Sequence, residues 1–209
     1  MNVSAIRSTI LLVRHAHTDM AGRFCGRADP DLSILGQQQL PEIVQRIGTW
    51  PFTRVYSSSL IRARRTAEAI AASRCLKVNV RSGLNEMSFG AWEGRSWDEI
   101  EALYPADAAR WLHDHPAGTA TGGELFVDFQ QRVLNEFQDL AREAQHTSIA
   151  VVAHAGFIRA ALVLGAGFDA AGAWSLPLEY GSLTELNYLQ KRWHANGIAA
   201  RIVEHRPLA

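Results

Sequence analysis

The chain has 209 residues, 47% of them hydrophobic, which is enough for one well-packed domain. Its 21 basic and 21 acidic side chains cancel, so the strongly basic surface of a nucleic-acid-binding domain is not expected. Two cysteines in a chain of this size favour a reducing compartment over a disulfide scaffold. Residues 1–9 show no secretion-signal pattern, and no apolar run approaches the ~20 residues of a membrane span. We therefore predict a cytoplasmic protein with no nucleic-acid or membrane partner.

Apolar runs and capping residues predict the first elements of the chain. Residues 10–13 form an apolar run typical of a buried parallel strand. After a polar loop, Ser33 precedes a helical stretch that continues to about Gly48. Residues 54–57 predict a second strand, and Ser58 or Ser59 is placed to cap a helix that starts at Leu60. Residues 77–80 predict a short third strand.

The second half of the chain begins irregularly and then alternates again. Residues from about 83 to 123 hold several glycines, two prolines and three tryptophans: Trp92, Trp97 and Trp111. Roughly 40 residues are too few for an independent core, so this stretch is predicted to be an excursion with short helices. A long amphipathic helix is expected over 124–144, then a strand at 149–153, a helix near 157–164, and strands near 184–190 and 198–204. These patterns predict a three-layer α/β domain.

Two histidines each lie directly after a predicted buried strand. Arg14 and His15 follow the first apolar run, and His154 follows the run at 149–153. Open α/β sheets bind their ligands at the carboxyl ends of the strands. Two histidines and an arginine meeting there predict an anion site built around a nucleophilic imidazole.

Four segments in a fixed order make this prediction more specific. They are Arg-His-Ala-His-Thr at 14–18, Ser-Ser-Ser-Leu-Ile-Arg at 57–62, Leu-Asn-Glu-Met-Ser-Phe-Gly-Ala-Trp-Glu-Gly at 84–94 and His-Ala-Gly at 154–156. With Asp-Pro-Asp-Leu-Ser-Ile-Leu-Gly at 29–36, the set resembles the histidine phosphatase superfamily, which includes the phosphoglycerate mutases. The resemblance spans nearly the whole chain. It implies a single domain over 1–209, built as an α/β/α sandwich with a mostly parallel central sheet, with the excursion at about 83–123 as a substrate lid.

The resemblance also implies roles for five residues. His15 would attack phosphorus and carry the phosphoryl group as a phosphohistidine. Arg14 and Arg62 would hold the phosphoryl oxygens with their planar forks, and His154, when protonated, would add donors and charge. Glu86 would protonate the leaving oxygen and later take a proton from the attacking water.

Further implications concern the surroundings of the phosphate. The resemblance places Cys25, Gly26 and Ala155 among the residues that bind the substrate phosphate. It implies no metal and no other cofactor, because arginines and a histidine supply the positive charge. The partner is then a small phosphorylated metabolite, and a homodimer stays open.

Several alternatives stay open at this point. Glu93 competes with Glu86 as the acid. His15 and His17 could instead be metal ligands, completed by His154 or by a pair at 113 and 115, in a metal-dependent hydrolase. The chain could also be a non-catalytic binding domain, a phosphoglycerate mutase-type phosphotransferase or a broad-specificity sugar phosphatase. A mutase needs a second anion site, for which Arg95 or Arg110 would have to serve.

Departures from the common family pattern bear on the substrate. Ala16 and His17 replace a glycine and a glutamate, and the usual asparagine is missing. The stretch at 22–30 and the residues at 122–133 resemble the α-ribazole phosphatase branch, which acts in cobalamin nucleotide-loop assembly. We therefore expect α-ribazole 5′-phosphate as the leading substrate. Trp92, Trp97 and Trp111 are each expected first as buried packing residues, and the alternative is that at least one of them stacks on the flat base of this substrate.

Overall fold

The fold centres on a six-stranded sheet. A computed structural model describes residues 8–48 and 50–200, with side chains through residue 195. The strands are β1 (Ser8–Arg14), β2 (Arg54–Ser57), β3 (Val78–Val80), β4 (Ser148–Ala153), β5 (Leu183–Leu189) and β6 (Arg192–Ala200). Their order is β3-β2-β4-β1-β5-β6. The pairs among β1 to β4 are parallel, whereas β5 is antiparallel to β1 and β6 is antiparallel to β5. The predicted mostly parallel sheet is confirmed.

Seven α-helices accompany the sheet in the described residues. They are α1 (Ile34–Ile47), α2 (Ile61–Ala72), α3 (Trp97–Leu103), α4 (Pro105–Asp114), α5 (Phe126–Glu143), α6 (Ala155–Ala166) and α7 (Ala170–Ser175). Short 3₁₀ turns lie at Ser82–Leu84 and Gly90–Trp92. The predicted helix start at Ser33 is confirmed, because its side chain accepts a hydrogen bond from the Gly36 backbone N–H.

The central strands are buried on both faces. On β1, Ile10 and Leu12 belong to the cluster that contains the apolar stripe of α5 and the buried face of α6. Leu11 and Val13 alternate with them and pack on the other side, against α1 and α2. The sheet is therefore sandwiched between two helical layers, as the three-layer prediction requires.

Two predicted boundaries were wrong. Neither Ser58 nor Ser59 is the N-cap of α2: Leu60 is, and the Ile61 N–H is bound by the Asp29 carboxylate. The Ser58 side chain points into the protein instead, where it forms hydrogen bonds with Asn85 and His154. The last strand begins at Arg192, not at residue 198, and residues 201–204 of the prediction lie outside the described residues.

The excursion packs around its own small apolar cluster. Trp92, Ile100, Ala108 and Ala120 are buried together, and Phe24 from the loop after β1 packs against them. The cluster thus relies on a residue from outside the excursion, which agrees with the expectation that 40 residues do not make an independent core. Within the described residues, no helix is long and apolar enough to cross a membrane.

Candidate active site

The sheet topology brings the two predicted histidines together. β1 and β4 are neighbours in parallel register, with Arg14 opposite Ala153, so His15 and His154 leave the sheet side by side. Their ring centroids are 5.1 Å apart, and both residues are buried. The site therefore lies at the carboxyl ends of the central strands.

His15 is held as a neutral imidazole with one defined tautomer. Its Nδ1 lies 2.7 Å from the Ala16 carbonyl oxygen, which can only accept, so Nδ1 carries the proton and Nε2 keeps a lone pair. Burial, followed by the charges of Arg62 and Arg14, lowers the pKa of His15 well below its usual value. An uncharged ring with an available Nε2 is the form that can attack phosphorus.

Arg62 points one edge of its guanidinium at that nitrogen. The side chain is fully buried, and its Nε lies 3.3 Å from His15 Nε2. Its Nη1 donates to the Ala28 carbonyl, and its Nη2 donates to the carbonyls of Cys25 and Gly26. We expected Arg62 to bind two phosphoryl oxygens with its planar fork. In the structure, both of its Nη atoms already donate to carbonyls of the loop after β1, and its Nε faces His15. Cys25 and Gly26 lie beside the site and direct their carbonyls at this arginine.

Arg14 is fixed against a residue that the sequence did not single out. Its Nη1 donates to the Leu178 carbonyl, and its guanidinium carbon lies 3.8 Å from the ring centroid of Tyr180. The same ring packs at 5.5 Å from His15 and 5.0 Å from His17. Burial lowers the pKa of Arg14, while Tyr180 is the first of the groups that oppose this. Tyr180 lies just before β5, far along the chain, and no motif marked it.

His154 is also a neutral imidazole, and its Nδ1 has no hydrogen-bond partner among the described residues. His154 Nε2 lies 2.8 Å from Ser58 Oγ, and Ser58 in turn donates to Asn85 Oδ1 at 2.9 Å. Ser58 therefore accepts from His154 Nε2–H, which leaves the lone pair on Nδ1. That Nδ1 is buried and has no hydrogen-bond partner among the described residues. Burial, and then Arg62, lowers the pKa of His154 well below its usual value.

Glu86 is held by two backbone N–H groups, one of which belongs to the segment that follows His154. Its Oε1 accepts from the Met87 N–H at 3.0 Å and its Oε2 from the Gly156 N–H at 2.9 Å. A Cβ at Gly156 would stand 2.3 Å from Glu86 Oε1, so the close approach needs glycine. The start of α6 thus positions the carboxylate next to His154, and Ala155 lies on the same surface.

Glu93, the competing acid, is fully occupied as a brace. Its Oε2 accepts from the N–H groups of Gly26 and Ala28, and its Oε1 from those of Arg27 and Phe89, all at 2.8–2.9 Å. Four backbone donors leave little capacity for an incoming substrate. Glu93 therefore joins the loop that holds Arg62 to the segment that carries Glu86.

A cleft extends from Glu86 towards the excursion. It is lined by Glu86, Met87, Phe89, Trp111, His115, Pro116, Phe129, Ala155, Gly156, Arg159 and Trp174 and encloses about 120 Å³. Of the three tryptophans predicted as candidates, only Trp111 lines it. Trp92 is fully buried, and Trp97 packs against Phe24 and Trp92. Trp174, on the short helix α7, was missed.

The structure also shows the residues that a metal site or a second anion site would need, and most of them have other partners. His17 Nδ1 lies 2.8 Å from Ser33 Oγ, and His113 pairs with its neighbour Asp114 on an exposed part of α4. Within the described residues, no group of three or more His, Cys, Asp or Glu side chains is arranged to hold a metal. Arg95 donates to the Ala91 carbonyl, and Arg110 pairs with Asp107.

Comparison with known proteins shows which proteins this chain resembles. The chain is 29% identical over 185 residues to phosphoserine phosphatase 1 of Hydrogenobacter thermophilus, covering 88% of each protein. It is 29% identical over 182 residues to the adenosylcobalamin/α-ribazole phosphatase of Escherichia coli, covering 86% of this chain and 90% of that protein. The crystal structure of the α-ribazole phosphatase from Shigella flexneri matches with a TM-score of 0.83 at 28% identity, over 92% of this chain and 96% of that one. The model of the histidine phosphatase superfamily (branch 1) matches residues 10–200, and the chain belongs to this family.

Proposed function

We propose that this chain is a metal-independent phosphomonoesterase that transfers the phosphoryl group of a small metabolite first to His15 and then to water. The observation that carries the proposal is the neutral His15 with its Nε2 lone pair, set beside Arg62, Arg14 and His154. This arrangement combines a nucleophile with fixed positive charge at one buried point, which is what phosphoryl transfer requires.

In the first step, His15 Nε2 attacks phosphorus as the bond from phosphorus to the ester oxygen breaks. Arg14 and the Nε edge of Arg62 stabilise the charge on the phosphoryl oxygens. His154 Nδ1, next to a phosphoryl dianion, takes up a proton and donates to the same group. Glu86 in its protonated form gives its proton to the leaving oxygen.

In the second step, water attacks the phosphohistidine. The Glu86 carboxylate accepts a proton from this water as the new oxygen–phosphorus bond forms. The nitrogen–phosphorus bond breaks, and the electron pair returns to His15 Nε2. Inorganic phosphate leaves, His154 Nδ1 returns to solvent the proton that it took from solvent when the dianion was bound, and the site regains its starting protonation.

For the substrate, we propose α-ribazole 5′-phosphate, and with it a role in cobalamin nucleotide-loop assembly. Relatives with this name in Escherichia coli and Shigella flexneri cover most of the chain. O-phosphoserine is the second candidate, because a phosphoserine phosphatase matches over a similar length. In this proposal residues 83–123 cover the substrate as a lid on a single domain, which the aromatic residues at the cleft support.

The setting of the enzyme is part of the proposal. A cytoplasmic location fits the two cysteines, both of which are free thiols. No nucleic acid takes part, and assembly as a homodimer stays a prediction, which light scattering on the purified protein would decide.

The proposal is tested by a screen of phosphorylated metabolites with wild-type protein and His15→Ala. We expect measurable kcat/KM values for wild type, highest for α-ribazole phosphate, above O-phosphoserine, 3-phosphoglycerate and sugar phosphates. The folded His15→Ala protein should be inactive on all of them. Substantial turnover by this variant would refute the phosphohistidine mechanism, whereas a different preferred ester would refute only the substrate assignment.

A further inference from the structure

The cleft beside Glu86 is where the leaving alcohol must lie. This step rests on the proposed function, because Glu86 is the residue that protonates the departing oxygen. Glu86 lines the cleft, whereas His15, which receives the phosphoryl group in the proposed mechanism, is not among the residues that line it. Whatever the alcohol carries must therefore contact the side chains that line this cleft.

Two tryptophans from distant parts of the chain form its apolar walls. Trp111 comes from α4 and Trp174 from α7, and the His115 ring lies 6.5 Å from the first and 6.1 Å from the second. Trp111 is backed by the buried Trp92 at 5.2 Å, and Trp174 by Phe126 at 5.7 Å. Further aromatic rings thus hold both tryptophans in place, so the cleft stays open for a ring that stacks on them.

The charges of the cleft exclude one kind of alcohol. Glu86 is the one carboxylate among the residues that line it, and both of its oxygens already accept backbone N–H groups. Arg159 is the one lining arginine; its Nη2 donates to the Leu176 carbonyl and its guanidinium lies 6.0 Å from the Trp174 ring. An ammonium group entering here would find no free carboxylate and would be repelled by Arg159.

We propose that this cleft selects esters whose alcohol carries a flat, uncharged aromatic ring, and that Trp174 and Trp111 determine this specificity by packing against that ring. In the zwitterionic alcohol of O-phosphoserine, the ammonium group finds no free counter-ion in this lining, whereas the carboxylate is attracted to Arg159, whose Nε is buried without a hydrogen-bond partner among the described residues. An aromatic ring that packs against one of these tryptophans removes a face from water and needs no counter-ion.

The test compares two alkyl phosphates, 2-phenylethyl phosphate and propyl phosphate, in which a phenyl ring and a methyl group respectively end the same two-carbon chain. Wild-type kcat/KM should be higher for the phenylethyl ester, and higher for it than for O-phosphoserine. Trp174→Ala should lower kcat/KM for the phenylethyl ester by roughly 5- to 150-fold, the range expected for stacking on one aromatic side chain, and should lower that for propyl phosphate much less, because a propyl group has no ring to stack. Trp174→Phe should keep most of the preference.

The control is Trp193→Ala, because Trp193 packs against Phe137 and Tyr188 and does not line the cleft. This variant should keep the wild-type ratio of the two esters. Folding is checked by circular dichroism, and the wild-type preference decides the question even if an alanine variant does not fold. A wild-type preference for O-phosphoserine, or equal losses on both esters in folded Trp174→Ala and Trp111→Ala, would overturn the inference and leave the phosphatase chemistry standing. Failure to hydrolyse any ester, p-nitrophenyl phosphate included, would instead refute the proposed function.

Discussion

Replacing Glu93 by glutamine tests whether a residue outside the reaction positions Arg62. The carboxylate accepts four backbone N–H bonds, two at each oxygen. A glutamine in the same place keeps one oxygen and turns an NH₂ group towards the other two donors. The loop N–H groups of Gly26 and Ala28, or those of Arg27 and Phe89, then face a donor instead of an acceptor.

The size of the effect follows from those lost bonds. A hydrogen bond to a charged group contributes about 1.5–3 kcal/mol, and water replaces part of this where the loop is exposed, so Glu93→Gln should cost about 2–4 kcal/mol of unfolding free energy. For a chain of this length that corresponds to a fall in Tm of roughly 5–15 °C. Because the same loop supplies three carbonyl acceptors to Arg62, kcat should fall as well, by about 10-fold or more.

The assay pairs thermal unfolding with kinetics on p-nitrophenyl phosphate well below the Tm of the variant. Glu99→Gln is the matched control, because Glu99 is an exposed carboxylate that pairs with Arg23 and caps α3. The control should lower Tm by only a few degrees and leave kcat unchanged. A fully folded Glu93→Gln protein with wild-type kcat would refute the view that Glu93 acts through the loop on Arg62.

Four further outcomes are expected. In rapid-quench experiments, Glu86→Gln should lose roughly 10²–10⁴-fold in the rate at which an alkyl phosphate phosphorylates His15, and far less with p-nitrophenyl phosphate, whose leaving group needs no proton; equal losses in this first step would show that Glu86 is not the acid. Gly156→Ala should reduce kcat for alkyl esters too, because its Cβ would displace the Glu86 carboxylate. Burial lowers the pKa of both His15 and His154, so below about pH 6.5 the unfolded chain binds protons that the folded chain does not. The free energy of unfolding should therefore fall as the pH decreases, by roughly 1.4 kcal/mol per pH unit for each histidine. In urea titrations from pH 7 to pH 5, His15→Ala should show a shallower dependence of this free energy on pH. Treatment with EDTA should leave the rate unchanged, and a loss restored by zinc or manganese would favour the metal-dependent reading.

The sequence predicted the central strands and the histidines because their signal is local. A strand buried on both faces is a continuous apolar run, and the residue that follows it is at the carboxyl edge of the sheet. The start of β6 was missed because its first residues, Arg192, Trp193 and His194, lie on an edge hairpin and do not form an apolar run. The turn before it is formed by Gln190 and Lys191 with positive φ, without the Gly or Asn that usually marks such a turn.

The lining of the cleft could not be predicted in the same way. Trp111 and Trp174 are 63 positions apart in the numbering and meet only when α4 and α7 pack at the same end of the sheet. Trp92 carries the same sequence signal as Trp111, yet it is buried behind it. Tyr180 likewise reaches Arg14 through tertiary packing alone. The sequence shows that these aromatic residues are present, but only their tertiary packing shows which of them line the site.

Direct identification of the phosphorylated residue tests the central claim most sharply. Wild-type protein mixed with substrate is quenched in base within milliseconds, digested, and mapped by mass spectrometry. We predict a phosphoryl group on His15 that survives base and is lost in acid. With p-nitrophenyl phosphate as the substrate, it should accumulate further in Glu86→Gln, where the second step lacks its proton acceptor. A phosphoryl group on His154 or on another residue, or turnover by folded enzyme that never phosphorylates His15, would contradict it.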